Sequence, residues 1–475
     1  MDNFVFYDFE TSGLNKDFDQ ILQIGAVLVN ESFQIKDKLN VSCRLKKSII
    51  PAPEALLINK ISIDQLKSHK VSHYYLVEEL RQKFEEWAPA CFVGFNSIGF
   101  DEDVLRQGLF QSFNFPYLTS AKGNTRLDVL KLARAVSAFA PNSIAIPLGK
   151  NNKPSFKLQN LTKVNQVTHD NAHDAMGDVI ATLELAKKIK SNAGEVWGAL
   201  LAYKKGDDIG KKFFNEDFVC YQDLIFGKIY NFAATFVCFH PVYGKSWLCA
   251  FDLKHDPRPL FDLGFSELKQ ALFSTPTKIR QISLNKMPVV LSKENFSALE
   301  DYKEIGMEEI LKRSKLVKDN HDFSSKVHDI IEEKIRERQD SASQDEDDHF
   351  PEHSIHQSSI QMSRQDRILL PQFQKGNWEE KAKTYKSFQD SVLQYFGKLL
   401  IYEEQPDALS KEELSSIKKV IAEKLLTTNQ RPWITFPDAF KKIDDLRQEK
   451  DADQKFLKDY DLFLQDLQAK HEQNI

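Results

Sequence analysis

"FVFYDFETSG", residues 4–13, carries an apolar strand pattern directly into two carboxylates, Asp8 and Glu10. Alternate residues of a strand point to the same face, so these two acids share a face. Neighbouring carboxylates repel each other, and a divalent cation between them relieves the repulsion, because Mg²⁺ prefers carboxylate oxygens as ligands. The stretch therefore indicates a metal site or, alternatively, a solvent-facing strand end before the turn at Thr11 to Gly13.

The surrounding sequence, to about residue 190, alternates strand and helix patterns. Period-2 runs predict strands at residues 4–10, 21–30, 34–45 and 91–95. Helical periodicity predicts helices at residues 77–87, 102–110, 128–139 and 172–189. This part is therefore predicted to be an α/β domain.

A second acidic group opens a helix in "CFVGFNSIGFDEDVLRQ", residues 91–107. Asp101, Glu102 and Asp103 could simply complement the helix dipole and cap free N–H groups. However, α/β sheets place their sites at the carboxyl ends of strands, so Asp101 could also project toward Asp8 and Glu10.

A third group lies in "HDNAHDAMGD", residues 169–178. Asp174 and Asp178 share a helix face, whereas His173 lies about 140° from Asp178 in an ideal helix. Spacing alone favours the two aspartates. If the helix begins near Asn171, however, His173 lies in a loosely held first turn and can reach the site. The other interpretation is a capped helix start with a surface histidine.

Four carboxylates and a histidine suggest two-metal phosphodiester hydrolysis. Two Mg²⁺ ions about 4 Å apart would hold the attacking water and the leaving oxygen and neutralise charge on the phosphate. A histidine, which titrates near neutral pH, could take the proton from the water.

The remaining chain has two further parts. Residues 213–253 are rich in aromatic and β-branched residues and predict a small barrel or sandwich, whose aromatic residues form its core. Residues 338–359 lack apolar periodicity and are predicted to be a linker. From Trp378 to the end, helical periodicity predicts an α-helical bundle.

Bulk properties exclude several classes of protein. The 475 residues suffice for two or three domains, and no apolar run approaches a membrane span, so we expect a cytoplasmic protein without a membrane partner. Five cysteines without CxxC spacing predict packing thiols rather than disulfides or a zinc site. A net charge of −5 argues against bulk attraction to nucleic acid, so local positive charge must meet any polyanion.

The motifs "DFET", "GFNSIGFDEDVLR" and "HDNAHDAMGDVIATLELAK" resemble, in this order, the three exonuclease motifs of the histidine-type DEDD superfamily. "NAHDAMGDV" and "PSFKLQNLTKVN", residues 154–165, are similar in detail to the bacterial exodeoxyribonuclease I family. The resemblance implies an α/β ribonuclease H-like exonuclease domain (1–192), an SH3-like β-barrel domain with inserted helices (193–345) and a C-terminal α-helical domain (346–475). It also implies 3′ to 5′ degradation of single-stranded DNA to 5′-mononucleotides in DNA repair and recombination.

The resemblance also assigns residues, partners and cofactors. Asp8, Glu10 and Asp178 would bind two Mg²⁺ ions, with Mn²⁺ able to substitute, and Asp101 would complete the set. His173, not Asp174, would be the general base. Glu10 would also contact the DNA strand, together with the substrate-binding residues Arg106, Tyr117, Arg134 and Lys157. In single-stranded nucleic acids, cationic side chains pair with phosphates and aromatic faces stack on bases.

The family also implies a monomer of bacterial origin that docks the acidic C-terminal tail of single-stranded DNA-binding protein. Lys211, Lys212 and Arg280 are candidates for a basic rim around that tail.

Two positions depart from the family's usual pattern. Lys157 stands where Arg is common, which loses the planar fork of a guanidinium. The acidic "YEEQPD", residues 402–407, replaces a stretch that is usually basic, so DNA contacts by the last domain are in doubt.

Two alternatives of other kinds remain at this point. A histidine-type exoribonuclease would share the motifs, although such enzymes are single-domain dimers. An inactive single-strand-binding scaffold would bind strands without metal-dependent turnover.

Overall fold

The structure is a computed structural model that describes residues 3–149, 152–169, 172–202, 206–342, 350–449 and 452–475. The strands, in chain order, are β1 Asn3–Thr11, β2 Ile21–Val29, β3 Ile35–Ser42, β4 Ala90–Gly94, β5 Thr125–Asp128, β6 Val219–Ile225, β7 Lys228–His240, β8 Gly244–Asp252, β9 Ile279–Ser283 and β10 Val289–Ser292.

The first nine helices are α1 Pro53–Asn59, α2 Ile63–Ser68, α3 His73–Trp87, α4 Asp101–Gln111, α5 Val129–Phe139, α6 Leu158–Val164, α7 Ala175–Asn192, α8 Gly194–Ala202 and α9 Gly206–Asn215. The later ones are α10 Arg258–Phe261, α11 Phe265–Phe273, α12 Met307–Asp319, α13 His321–Ala342, α14 Ile355–Ile360, α15 Arg364–Lys375, α16 Trp378–Thr384, α17 Ser391–Glu404, α18 Lys411–Leu426, α19 Phe436–Arg447 and α20 Gln454–Glu472.

Internal contacts divide the chain into two compact units. The first comprises Met1–Asn124, His169–Ile180 and His349–Ile475, and the second comprises Thr125–Thr168 and Ala181–Asp348. The C-terminal helices thus group with the N-terminal strands. The three domains expected from the sequence stay a prediction. Domains are segments that fold by themselves, and a division by contacts does not show which segments do so.

Four strands of the first unit pair in the order β3-β2-β1-β4. β1, β2 and β3 are antiparallel neighbours, and β4 runs parallel to β1. All four strands were predicted from the sequence. Both faces of β1 are covered, since Val5, Phe6 and Tyr7 in succession are buried. A strand buried on both faces explains the nearly unbroken apolar run before Asp8.

One apolar cluster of the first unit joins residues that are distant in the sequence. Leu56 from α1 and Phe110 from α4 share it with Phe396 and Ile401 from α17 and Tyr460 from α20. Burial of such side chains is the main favourable term in folding. The C-terminal helices therefore complete a core that the N-terminal segment begins.

The second unit contains a five-stranded antiparallel sheet in the order β10-β6-β7-β8-β9. Its buried cluster includes Phe213, Tyr221, Phe232 and Leu248, so the aromatic run packs as a core, as predicted. α12 and α13 pack against β7.

The predicted linker at residues 338–359 is partly helical. α13 continues to Ala342, Pro351–Ser354 forms a 3₁₀ turn and α14 follows it, while residues 343–349 lie outside the described part. Polar side chains are buried here because they find partners: Lys424 Nζ donates to the buried Glu352 carboxylate at 3.1 Å. Composition alone cannot reveal such partners.

All five cysteines are buried and free, as expected for packing thiols. Among the described residues, no helix has both the length and the apolar character needed to cross a membrane.

Candidate active site

Asp8 and Glu10 lie near the carboxyl end of β1, two residues apart on one face. Asp8 pairs with Gly25 of β2 across the antiparallel ladder. A Cβ atom on Gly25 would lie 2.5 Å from the backbone of Ala175 and Met176. Only glycine therefore permits the first turn of α7 to pack directly on the sheet beside Asp8.

Asp101 is the first residue of α4, after β4 and a short 3₁₀ turn. Its side chain is buried, and the Phe9 backbone N–H donates to its Oδ1 at 3.2 Å. This hydrogen bond holds the Asp101 carboxylate against β1 at Phe9, the residue between Asp8 and Glu10.

The helix α7 begins at Ala175, four residues later than the start near Asn171 considered above. Asp174 accepts a hydrogen bond from the Gly177 N–H at 3.1 Å, as an N-cap residue does. Gln23 Nε2 also donates to Asp174 Oδ1 at 2.9 Å. Asp174 therefore caps α7. Its helical spacing from Asp178 is no longer a reason to place both aspartates in the site.

Asp178 lies in the first turn of α7 and joins the acids of β1. Ligand oxygens of Asp8, Glu10 and Asp178 all lie within 4.8 Å of one another. Mg²⁺ and Ca²⁺ contact carboxylate oxygens at about 2.0–2.6 Å, so oxygens at this separation can share one cation. The donor set fits a divalent metal ion.

The charges of this cluster oppose one another. Burial, followed by the charges of Asp178 and Asp101, raises the pKa of Glu10 from 4.5 to about 8. Burial, followed by Asp101 and Glu10, likewise raises the pKa of Asp8 well above its ordinary value. A bound cation favours the ionised carboxylates and relieves this repulsion.

His173 precedes α7 and is not in its first turn, because Asp174 caps the helix. Its backbone is left-handed, with φ 65°, and its N–H donates to Asp178 Oδ1 at 3.4 Å. It borders a cavity of about 330 Å³ that Gln23, Lys60 and His69 also line. Helical periodicity therefore does not govern its side chain, and the angle of about 140° to Asp178 does not apply.

His169 opens the acidic motif at residues 169–178, and the sequence predicts no role for it. Its Nε2 lies 2.5 Å from Asp178 Oδ1, and its side chain is 7% exposed. A histidine nine residues before a metal-binding acid has no distinctive spacing, so only the fold could reveal this contact. Asp170 and Asn171, between the two histidines, lie outside the described residues.

Arg106 and Tyr117 come together beside the acidic cluster of α4. The Arg106 guanidinium lies 5.4 Å from the Tyr117 ring centroid and pairs with Glu102 and Asp103. Buried Glu102 also accepts hydrogen bonds from Tyr7 and Thr119. The Arg106 Nε is buried without a hydrogen-bond partner, so it retains a donor for a ligand.

Arg134 and Lys157 belong to the second unit. The Arg134 guanidinium lies 5.8 Å from the Phe156 ring centroid, and its Nε is also buried without a hydrogen-bond partner. Lys157 is exposed immediately before α6. Phe156 directly precedes Lys157, so Arg134 contacts the segment that carries Lys157.

The three candidate rim residues differ in exposure. The Lys211 side chain is 73% exposed. Lys212 is buried and pairs with Glu216 at 2.7 Å, so it cannot line a surface. Arg280 is largely buried, with its guanidinium 4.2 Å from the Phe232 ring centroid. The sequence could not separate Lys212 from Lys211, because neighbouring helix positions can differ completely in burial.

Residues 5–186 match the exonuclease family, and residues 218–333 match the exonuclease I SH3-like domain. The chain thus resembles exonuclease I in carrying an exonuclease domain followed by this SH3-like domain. The first match includes every predicted catalytic residue. These matches confirm the resemblance that the three motifs indicated.

Curated relatives of this chain are named exodeoxyribonuclease I. Exodeoxyribonuclease I of Buchnera aphidicola subsp. Schizaphis graminum is 30% identical over 259 residues, which are 54% of this chain and 54% of the relative. Exodeoxyribonuclease I of Escherichia coli K12 is 27% identical over 349 residues, 70% of this chain and 72% of the relative. The match with the first thus spans about half of that relative's length.

Solved exonuclease I structures match nearly the whole chain. The enzyme of Methylocaldum szegediense matches with a TM-score of 0.83 at 20% identity, covering 98% of this chain and 100% of that one. E. coli exonuclease I in complex with a dT13 oligonucleotide matches with a TM-score of 0.80 at 21% identity, covering 100% of both chains. A structure of exonuclease I with SSB and an inhibitor matches with a TM-score of 0.78 at 21% identity and the same coverage.

These likenesses concern the fold. They confirm the predicted α/β ribonuclease H-like exonuclease domain, the SH3-like domain and the helical C-terminal region.

Proposed function

We propose that this protein is an exodeoxyribonuclease that removes 5′-mononucleotides from the 3′ end of single-stranded DNA. The observation that carries the proposal is the cluster of Asp8, Glu10 and Asp178 oxygens within a segment that matches the exonuclease family. The relatives named exodeoxyribonuclease I and the E. coli complex with dT13 support DNA as the substrate.

Asp8, Glu10 and Asp178 would hold the catalytic ions, which we propose to be two Mg²⁺, with Mn²⁺ able to substitute. When bound, such ions generate a strong nucleophile from water and neutralise charge on the phosphate. Asp101, fixed against β1 by the Phe9 N–H, adds a fourth carboxylate to the cluster. The clustering of acids of raised pKa supports a cation in this place.

His173 is proposed as the general base. An imidazole can accept the proton that the attacking water loses. Its position outside α7 supports this role, because a side chain on a loop can turn toward a substrate that a helical position would not face. The His173 N–H donates a hydrogen bond to the Asp178 carboxylate, so the proposed metal ligand and the proposed base lie on one short segment.

Arg106, Tyr117, Arg134 and Lys157 are proposed to contact the strand, as is Glu10 at the scissile end. The buried Nε atoms of Arg106 and Arg134 support this assignment, because an unpaired buried donor costs free energy that a phosphate oxygen would recover. The Tyr117 ring offers a face for stacking, a contact of about 1–3 kcal/mol per base.

We also propose a protein partner. The exonuclease I structure that contains SSB supports docking of single-stranded DNA-binding protein, with exposed Lys211 as a rim candidate. We also propose that it acts as a cytoplasmic monomer in bacterial repair and recombination, as the resemblance to exonuclease I implies.

The proposal is tested with a single-stranded DNA oligomer, its duplex and an RNA of the same sequence under matched salt. We expect Mg²⁺-dependent degradation of the single-stranded DNA that EDTA and Asp8→Asn abolish. Preference for the RNA would indicate an exoribonuclease instead. Tight binding of DNA without turnover would indicate an inactive strand-binding scaffold.

A further inference from the structure

The two histidines of the segment 169–178 contact the same oxygen of Asp178. His169 Nε2 lies 2.5 Å from Asp178 Oδ1, and the His173 backbone N–H lies 3.4 Å from it. The first contact uses a buried imidazole, and the second uses the main chain. Asp178 is thus held from the side of the loop that precedes its own helix.

These contacts account for one oxygen of the carboxylate. A carboxylate oxygen accepts about two hydrogen bonds, one for each lone pair. Oδ1 receives two donors from this loop, so Oδ2 is the oxygen with capacity for a metal ion. An imidazole that donates to a metal-binding carboxylate fixes its rotation, as outer partners of metal ligands commonly do.

Other contacts hold the loop itself. Lys60 Nζ donates to the Ala172 carbonyl at 3.3 Å, and Gln23 Nε2 donates to Asp174 Oδ1 at 2.9 Å. The Gly177 N–H adds the cap described above. These contacts hold the segment after His169, so the His169 imidazole is not the only group that anchors it. The contact of His169 with Asp178 can therefore be assigned to positioning the Asp178 carboxylate.

We propose that His169 is a positioning residue that holds Asp178 Oδ1 and thereby presents Oδ2 to the catalytic metal ion. The inference rests on the proposed function only in that Asp178 is a metal ligand. His169 and His173 then divide their work: the first orients a metal ligand, and the second exchanges a proton with the substrate water.

The test measures Mn²⁺ binding to the full-length protein without DNA, by electron paramagnetic resonance of the free ion. Outer partners of metal ligands typically contribute 10–100-fold to affinity. We expect His169→Ala to raise the Mn²⁺ dissociation constant by about 10-fold or more. His169→Gln should stay within about 3-fold of wild type, because its amide N–H can reach the place of Nε2.

His69→Ala serves as the matched control, since His69 borders the neighbouring cavity, whereas the hydrogen bonds to Asp178 come from His169 and His173. It should bind Mn²⁺ as wild type does. Single-strand binding in EDTA should be unchanged in all three variants, because the proposed role of His169 is limited to the metal ligand.

Equal Mn²⁺ affinity of His169→Ala and wild type would overturn the inference. If His169→Ala does not fold, His169→Asn replaces it, because its shorter side chain cannot reach Asp178. His169→Gln must then bind Mn²⁺ more tightly than His169→Asn, and equal affinities would also overturn the inference. A wild type that binds Mn²⁺ but leaves single-stranded DNA intact would instead contradict the proposed function.

Discussion

At the scale of single residues, the site is built from carboxylates that destabilise one another. Glu10 shows this most clearly, since burial and neighbouring acids raise its pKa from 4.5 to about 8. A raised folded-state pKa contributes stability below about pH 4.5 that is lost as the pH rises through about 8. The metal-free site therefore opposes folding most strongly at alkaline pH.

We predict that Glu10→Gln flattens this loss of stability. In EDTA, the free energy of unfolding of wild type should fall relative to the variant between pH 5 and 9, by about 1 kcal/mol or more. Urea denaturation at several pH values measures the difference. Parallel curves for the two proteins would show that Glu10 titrates normally. Mg²⁺ should stabilise wild type more than the variant at pH 8.

Asp174 and Asp178 provide a matched pair of substitutions one helical turn apart. Asn is a good N-cap but a poor substitute for an ionised metal ligand, so Asp174→Asn should retain turnover within a few-fold. Asp178→Asn should reduce turnover by about 100-fold or more, since it removes a charged ligand. Initial rates on a single-stranded oligomer give both values. Similar losses in the two variants would reject the division between cap and ligand.

At the scale of elements, local patterns predicted the framework well. β1 to β4 lie within a few residues of their predicted bounds, because buried strands carry continuous apolar runs between turn residues. The start of α7 was not predictable, since it depends on whether Asp174 caps the helix or faces its neighbours. The contact of His169 with Asp178 was not predictable either, because it depends on the path of the chain before α7.

The acidic stretch at residues 402–407 shows how an unusual sequence can serve packing. Glu403 at the end of α17 is buried and accepts hydrogen bonds from the Lys47 N–H at 2.8 Å and from the Ser48 N–H at 3.0 Å. The Ser48 hydroxyl donates to it at 2.7 Å. This acid joins a C-terminal helix to the loop after β3, which gives it a structural role that needs no contact with DNA.

We predict that Glu403→Gln lowers the free energy of unfolding by about 2–3 kcal/mol, because two buried N–H donors would meet an amide instead of a carboxylate. Glu423→Gln, at an exposed position of α18, is the control and should leave stability unchanged. Chemical denaturation of both variants measures the effect. A loss no larger than that of the control would mean that Glu403 does not fasten α17.

At the scale of the whole molecule, the chain leaves and rejoins its first unit. Residues near both termini share one apolar cluster, including Ile50 and Leu56 with Phe388 and Phe463. The sequence predicted helices in the last part but not their packing on the N-terminal segment, because periodicity shows which face is apolar and not what covers it.

We predict that a chain ending at residue 348 does not fold stably. Removal of α14 to α20 would expose the N-terminal members of that cluster to water, at about 25 cal/mol per Å² of apolar surface. Circular dichroism and binding of a hydrophobic dye would report the loss. Cooperative unfolding at the wild-type temperature would show instead that the C-terminal helices form an independent domain, as the boundaries 1–192, 193–345 and 346–475 imply.

The proposed 3′ to 5′ polarity is tested by following both ends of one single-stranded DNA oligomer during its degradation by wild type in Mg²⁺. With the label at the 3′ end, we predict immediate release of a labelled 5′-mononucleotide. With the label at the 5′ end, we predict labelled strands that shorten step by step and yield a labelled mononucleotide or short end product last. Early release of the 5′ label, or internal cuts with either label, would contradict a 3′ to 5′ exonuclease.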